Sequence, residues 1–455
     1  MNGFIDIMLS SRVARLVTAC AVLATVYARP ATAVAQASPA GLSAIERLAT
    51  RAVDAHNAEA LALLERIVNI NSGTMNFTGV RAVADVLRPQ LESLGFRVRW
   101  VEGAAFKRAG HLIAEHPAAG PKILLIGHLD TVFEPSSPFQ KFTKLNDSTA
   151  TGPAVIDMKG GDVVMLFALR ALKDAGQLEK MNVTAVFDGD EESAGRPLAL
   201  SRRALIDAAA GASAAMGFED GAGDPKSAVI SRRSATEWKI TTTGYPGHAS
   251  QIFHDDIGAG AVFEMSRILT EFYQQLSGEQ YLAFSPGLAL GGTLVNADSA
   301  GTSGSASGKT NVIAGTMTVT GDMRTISPDQ LAKTEKAMRE IVSHHLPKTG
   351  GEITFDDGYP PMAPTDGNRR ILAMYDQASR DIGAGPVVAV DPSKAGAADV
   401  AFIANIVPMV IDGIGLSGHD DHSDKETADL RMLPSQTKRA ALLMLRLSQV
   451  KATTP

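Results

Sequence analysis

Imidazoles and carboxylates recur in this chain just after short apolar runs, a pattern suited to metal-assisted hydrolysis. Residues 122–127 (KILLIG) lead into His128-Leu129-Asp130. Residues 182–187 (NVTAVF) lead into Asp188-Gly189-Asp190-Glu191-Glu192, and 214–218 (AAMGF) into Glu219-Asp220. Residues 408–411 (PMVI) run on to His419, Asp420, Asp421 and His422. Asp157 falls between the first two runs, ahead of Lys159-Gly160-Gly161. So many carboxylates in one place repel unless cations neutralise them. A mixed imidazole and carboxylate set suits zinc best; cobalt or manganese also fits the donors, and calcium does not. Charge favours two ions: their four positive charges balance Asp157, Glu192, Glu219 and one bridging hydroxide, leaving Glu191 free as a base. Singly, each residue reads as a structural histidine or a solvated acid; their joint occurrence at four strand ends points to a site. His56, His111, His116, His254, His344 and His345 lack such company and read as surface or packing residues. Spacing alone does not choose between His419 and His422.

A parallel sheet would bring these residues together, because its strands present their carboxyl ends on one rim. The apolar runs are short and nearly continuous, as strands buried on both faces are. Between them lie helical patterns. Ser43-Ala44-Ile45-Glu46 is a capping box opening a helix with Leu61, Leu64, Ile67 and Val68 at helical spacing. Residues 159–175 form another helix, terminated by Gly176. Near residue 232 the pattern changes to β-α-β-β-α-β, the order of a ferredoxin-like layer. Its strands fall near 238–243, 288–295, 311–324 and 352–355, with helices over about 256–277 and from Ser327-Pro328 to His345. The segment 298–310 is low in complexity and reads as a flexible loop. Its Gly308-Lys309-Thr310 resembles the end of a phosphate loop but leads into a strand, so no helix N-terminus is there to hold a phosphate.

The 455 residues are 45% hydrophobic and 20% charged, which excludes disorder as the main state. A net charge of −6 excludes nucleic-acid binding through a general basic field. The single cysteine, Cys20, excludes a disulfide framework and a cysteine-based zinc site. Residues 1–37 read as a secretory signal, with Arg12 and Arg15 before an apolar stretch at 16–28 and small-residue cleavage sites at 31–33 and 35–37. Met8 is an alternative start, and residues 17–20 resemble a lipobox with too short an apolar core before them. A periplasmic or secreted protein without stable membrane association is expected, its mature chain carrying a charge of −8 once Asp6, Arg12, Arg15 and Arg29 are removed.

Over roughly residues 45–450 the sequence resembles the M20 family of zinc peptidases, and most of all its glutamate carboxypeptidase branch. The motifs are residues 68–74 (VNINSGT), 127–132 (GHLDTV), Thr151-Gly152-Pro153 with Asp157 and Lys159-Gly160-Gly161, Asp190-Glu191-Glu192, Phe218-Glu219, and residues 422–426 (HSDKE). The resemblance implies an α/β fold: a mainly parallel-sheet catalytic domain (38–231 and 359–455) interrupted by a ferredoxin-like α+β lid and dimerisation domain (232–358). It implies two zinc ions bridged by Asp157, with His128 and Glu219 on one and Glu192 and His422 on the other. A cis peptide after Asp157 is implied as well. Asp130 would hold the second ring nitrogen of His128, and Glu191 would be the general base acting with metal-bound hydroxide. His248, within 244–250 (GYPGHAS), would reach the active site of a partner subunit and steady an oxyanion. Asn311 and Arg324 would grip a substrate carboxylate.

The activity so implied is that of a di-zinc carboxypeptidase, a homodimer that releases a C-terminal amino acid such as glutamate from a small peptide or N-acyl amino acid. One departure bears on specificity. Residues 395–399 (AGAAD) replace a Gly-Gly-Thr-Asp string in the wall facing the substrate side chain, which leaves that preference open. Arg232-Arg233, at the edge of the insert, is read as favouring an acidic substrate. The rival readings are a dipeptidase or N-acyl-amino-acid amidohydrolase of the same family and, in another class, a non-catalytic metal- or peptide-binding protein. A serine hydrolase is not favoured, since no Gly-x-Ser-x-Gly elbow occurs.

Overall fold

The computed structural model describes residues 41–298 and 301–450. The segment read as a signal, with Cys20, lies outside the described residues. A six-stranded sheet runs in the order Arg97–Glu102, Gly110–His116, Asn182–Asp188, Lys122–His128, Ala212–Gly217, Val410–Ile411. The last four are mutually parallel, and Gly110–His116 and Arg97–Glu102 add an antiparallel margin. The sheet is therefore mainly parallel, as the buried runs imply.

Alternation along the central strand explains the layers. Ile123 and Leu125 face a core shared with the helices Ala44–Val68, Lys159–Asp174 and Met432–Ser448. Leu124 and Ile126 face the opposite core, against Leu205, Ala208 and Val400. Both faces are covered, so every position from Ile123 to Gly127 is apolar. The capping box is formed: Glu46 N–H donates to Ser43 Oγ (3.2 Å) and Ser43 N–H to Glu46 Oε2 (2.7 Å). Among the described residues no helix is long and apolar enough to cross a membrane.

A second, antiparallel sheet has the order Ala283–Gly292, Thr316–Arg324, Ala235–Gly244, Thr349–Tyr359. Gly260–Leu276 and Pro328–Ser343 cover one of its faces, where Trp238, Ile240 and Val319 meet Met265, Ile268 and Met338. The segment read as a flexible loop is partly ordered in a different way. Gly304–Ser307 pairs antiparallel with Leu294–Ala297, and Asp298 accepts from Thr302 N–H (2.9 Å) and Ser303 Oγ (2.7 Å). Small polar residues hid that strand, because it buries no face that would create an alternating pattern.

Gly321 lies directly under the Trp238 ring, and a Cβ there would run into it. Gly321→Ala is therefore expected to cost about 1–3 kcal/mol through overpacking. A urea midpoint unchanged from wild type would contradict that.

Candidate active site

Parallel strands deliver the site residues to one rim. His128 ends the central strand, Glu191 and Glu192 follow Asn182–Asp188, and Glu219 follows Ala212–Gly217. Asp157 sits in the turn before the helix Lys159–Asp174, and its peptide bond to Met158 is cis. His422 projects from the loop between the short strands Gly418–His419 and Thr427–Asp429, with φ at +58°. That left-handed backbone is uncommon for a residue bearing a Cβ, and it recurs where a side chain must be aimed.

The side chains converge. Asp157 Oδ1 lies 3.0 Å from His128 Nε2, and Asp157 Oδ2 lies 2.9 Å from His422 Nε2. Glu219 Oε1 is 3.7 Å from His128 Nε2, and Glu192 Oε2 is 3.1 Å from His422 Nε2. Two groups result, His128–Asp157–Glu219 and Asp157–Glu192–His422, each with its donor atoms within 4.8 Å of one another. Asp157 belongs to both, one oxygen facing each way. Glu192 Oε1 is buried without a hydrogen-bond partner. Two imidazoles and three carboxylates, one of them with an unsatisfied buried oxygen, form a donor set that fits two divalent cations sharing Asp157. His419 lies apart, exposed and paired with Asp420 at 2.8 Å.

The electrostatics reflect this crowding. Burial pushes the Asp157 carboxyl up, but hydrogen bonds from His128 and His422 bring it well below the usual range. Burial would lower His128, yet the Glu219 and Asp157 carboxylates hold it well above an ordinary imidazole. His422 is raised to about 11 by its bonds to Asp157 and Glu192. Burial and then the Asp157 charge raise Glu192 to about 8. Burial, followed by the Glu219 and Asp399 charges, raises Glu191 well above an ordinary carboxyl. Cations bound among these groups would relieve that crowding.

Neighbouring residues hold these side chains in place. Asp130 accepts from Glu191 N–H (3.0 Å), Glu192 N–H (3.2 Å) and Thr74 Oγ1 (2.6 Å). The role expected for Asp130 is thus modified: His128 Nδ1 is 3.2 Å from the Asp130 carbonyl and 3.6 Å from its carboxylate, which is engaged with the Glu191 loop. Glu426 accepts from the N–H groups of Ala154, Ile156 and Asp157 and so fixes the turn carrying Asp157. Lys159 Nζ donates to the Ile70 carbonyl (2.9 Å), tying the 68–74 motif to that same turn.

Other placements correct the sequence reading. His111 has carboxylate company after all: it is buried, stacked on Phe106, with Nδ1 3.0 Å from Asp188. Asp188 and Asp190 turn away from the rim into a buried ionic group with His111, Arg202 and Asp399. Arg232 is not free to attract a substrate. It is buried, paired with Asp412 at 2.7 Å and bonded to the Gly396 carbonyl. Arg233 remains partly exposed and donates to the Ser393 carbonyl. His248, Asn311 and Arg324 all lie in the segment bearing the second sheet. His248 Nδ1 accepts from Ser250 N–H (3.3 Å), Ala249 N–H donates to the Asn311 carbonyl (2.9 Å), and Arg324 Nε donates to Asp322 (2.7 Å). Sequence reasoning gave no role to Glu426, Arg202 or Tyr359. Glu426 stood inside a quoted motif, whereas nothing adjacent in sequence marked the other two.

Asp188 makes the ionic group testable. Burial pushes its carboxyl up, but the His111 and Arg202 charges more than offset this and bring it down to about 2. A carboxylate depressed on folding adds stability that is complete above its unfolded pKa and is lost as pH falls through the folded one. The urea-midpoint gap between wild type and Asp188→Asn should stay constant near neutrality and close as pH falls from about 4 to about 2. A gap unchanged at pH 2 would contradict the pairing.

A mainly parallel α/β layer with this cluster at its strand ends defines a hydrolase of the metallopeptidase class. The chain belongs to Peptidase family M20/M25/M40, whose model it matches over residues 124–446. It is 26% identical over 395 residues to carboxypeptidase G2 of Pseudomonas sp. (strain RS-16), covering 85% of this chain and 89% of that protein. Among solved structures it resembles aminopeptidase PepT of Bacillus cereus, with a TM-score of 0.68 at 16% identity, covering 86% of this chain and 99% of that one. It also resembles YXEP of Bacillus subtilis, described as a dinuclear metal-binding peptidase of the M20 family. There the TM-score is 0.60 at 16% identity, covering 87% of this chain and 99% of that one. At such identities structural likeness establishes the fold alone.

Proposed function

We propose that the protein is a secreted or periplasmic exopeptidase of the carboxypeptidase type, a homodimer using two zinc ions per subunit. It would hydrolyse the amide bond before a residue with a free α-carboxylate. The observation carrying this reading is the pair of three-residue donor groups that share Asp157, with Glu191 adjacent in sequence to Glu192 and in neither group. The similarity to carboxypeptidase G2 supports the carboxypeptidase direction.

His128, Asp157 and Glu219 would hold one cation, and Asp157, Glu192 and His422 the other. Bound there, the pair would supply Lewis acidity and make water acidic enough to ionise near neutrality. Glu191 takes the proton from the attacking water and returns it to the departing amine. Arg324 keeps Nη2 available for a substrate carboxylate while Asp322 steadies Nε, and Asn311 contributes its amide. His248 Nδ1 is engaged with Ser250, 2.8 Å from its Oγ and 3.3 Å from its N–H, which leaves Nε2 as the ring nitrogen that would face an oxyanion in a partner subunit. The exposed Phe253 and Phe263 pair, 5.4 Å apart in the same segment, supports a second copy covering this surface.

Elemental analysis of the purified protein and a panel of benzoyl-glutamate, benzoyl-leucine, Gly-Leu and a pteroyl-glutamate test this. About two zinc equivalents and release of the C-terminal amino acid from the blocked substrates are expected. Glutamate should leave faster than leucine, with Arg233 the cation favouring it. Cleavage confined to substrates with a free amino terminus would overturn the carboxypeptidase assignment, and equal rates would remove the acidic preference.

A further inference from the structure

We propose that Tyr359, held by Arg202, is a positioning residue for Glu191; this rests on Glu191 being the general base. Glu191 is set by the two peptide groups that flank its Cα, and all four of their polar atoms are bonded. The Asp190 carbonyl accepts from Arg202 Nη2 (3.1 Å), and Glu191 N–H donates to Asp130 Oδ1 (3.0 Å). The Glu191 carbonyl accepts from Tyr359 Oη (2.7 Å), and Glu192 N–H donates to Asp130 Oδ2 (3.2 Å). Asp130 thus grips both N–H groups, while Arg202 and Tyr359 grip the two carbonyls. With both peptide planes fixed, the direction of the Glu191 Cα–Cβ bond is fixed too, and the side chain alone is left to move.

The hydroxyl of Tyr359 has one proton, and its neighbours decide where that proton points. Arg202 Nη2 approaches Tyr359 Oη at 2.6 Å, and a guanidinium can only donate. Tyr359 must accept there and spend its own proton on the Glu191 carbonyl. The donation from a cation also strengthens the bond the hydroxyl makes in turn. Arg202 is itself locked, with Nη1 2.6 Å from Asp190 Oδ1, Nε 2.7 Å from Asp399 Oδ1, and its plane over the Tyr359 and Phe402 rings. Tyr359 ends the strand Thr349–Tyr359, in register with Ala235 and close to the Arg232–Met362 bridge. The base is therefore registered against the strand pair that joins the two sheets.

Tyr359→Phe keeps the ring, its contact with Phe402 and its place under Arg202, and removes only the donor. Small displacements of a catalytic group are costly. On the fastest-cleaved member of the panel above, kcat is expected to fall about 10- to 100-fold, with KM within about two-fold and metal content unchanged. In a Glu191→Asp background, where the base is already displaced, the same change should cost less than about two-fold. Full kcat in Tyr359→Phe, loss of metal, a change confined to KM, or an equal cost in both backgrounds would each overturn the proposal. Glu191→Gln separates the two levels: if it retains turnover, the base assignment itself falls. If it is inactive while Tyr359→Phe is fully active, only the positioning role falls.

Discussion

Glu191→Gln is expected to lower turnover by about 10²- to 10⁴-fold, the usual worth of a positioned acid–base group, while leaving the metal content unchanged. The carboxyl belongs to neither donor group around Asp157, so its loss removes no ligand. Nor does it carry the loop, because the main-chain bonds to Asp130 and Tyr359 survive the substitution. What disappears is the one group placed to carry the proton between water and the departing amine. Glutamine is nearly isosteric and cannot take that proton. Metal analysis and kinetics on one preparation separate the cases. Lost metal would make Glu191 a ligand support, and turnover within ten-fold of wild type would leave it without a part in proton transfer.

Why the sequence discloses some of these residues and hides others follows from how each is positioned. His128 ends a strand buried on both faces, Glu219 and Glu192 follow two more such strands within a few residues, and such strands are conspicuous as apolar runs. Parallel pairing then fixes the rim on which their ends meet, so local pattern predicts a long-range meeting. The antiparallel margin Arg97–Glu102 and Gly110–His116 gave no such signal, since charged residues interrupt the first of these strands. Arg232 misled because a charged pair in sequence looks solvated, whereas Asp412, far along the chain, neutralises it in the interior. Arg202 and Tyr359 had no legible role for the same reason. Their partners are reached through the fold, and no spacing encodes a contact between residues 202 and 359. Ligand positions are thus legible where secondary structure ends, and the residues that aim them are legible only once the layers are packed.

Asp157→Ala is expected to remove both ions, whereas Glu219→Ala or Glu192→Ala should each chiefly weaken one. Asp157 alone places an oxygen in each donor group, at 3.0 Å from His128 and 2.9 Å from His422. Without it each group keeps one imidazole and one carboxylate, short of the three protein ligands that catalytic zinc normally has. Two bound cations would also neutralise carboxylates that otherwise repel, so their loss should reach stability as well as activity. Elemental analysis should fall from about two equivalents to near zero, with activity lost in parallel. A thermal melt should rise on adding zinc to wild type and stay flat for the variant, because only a ligand that binds the folded state shifts the transition. Retention of one full equivalent by Asp157→Ala would mean that one group binds without the shared carboxylate. The two cations would then be held independently, and a single bridged centre would no longer describe the site.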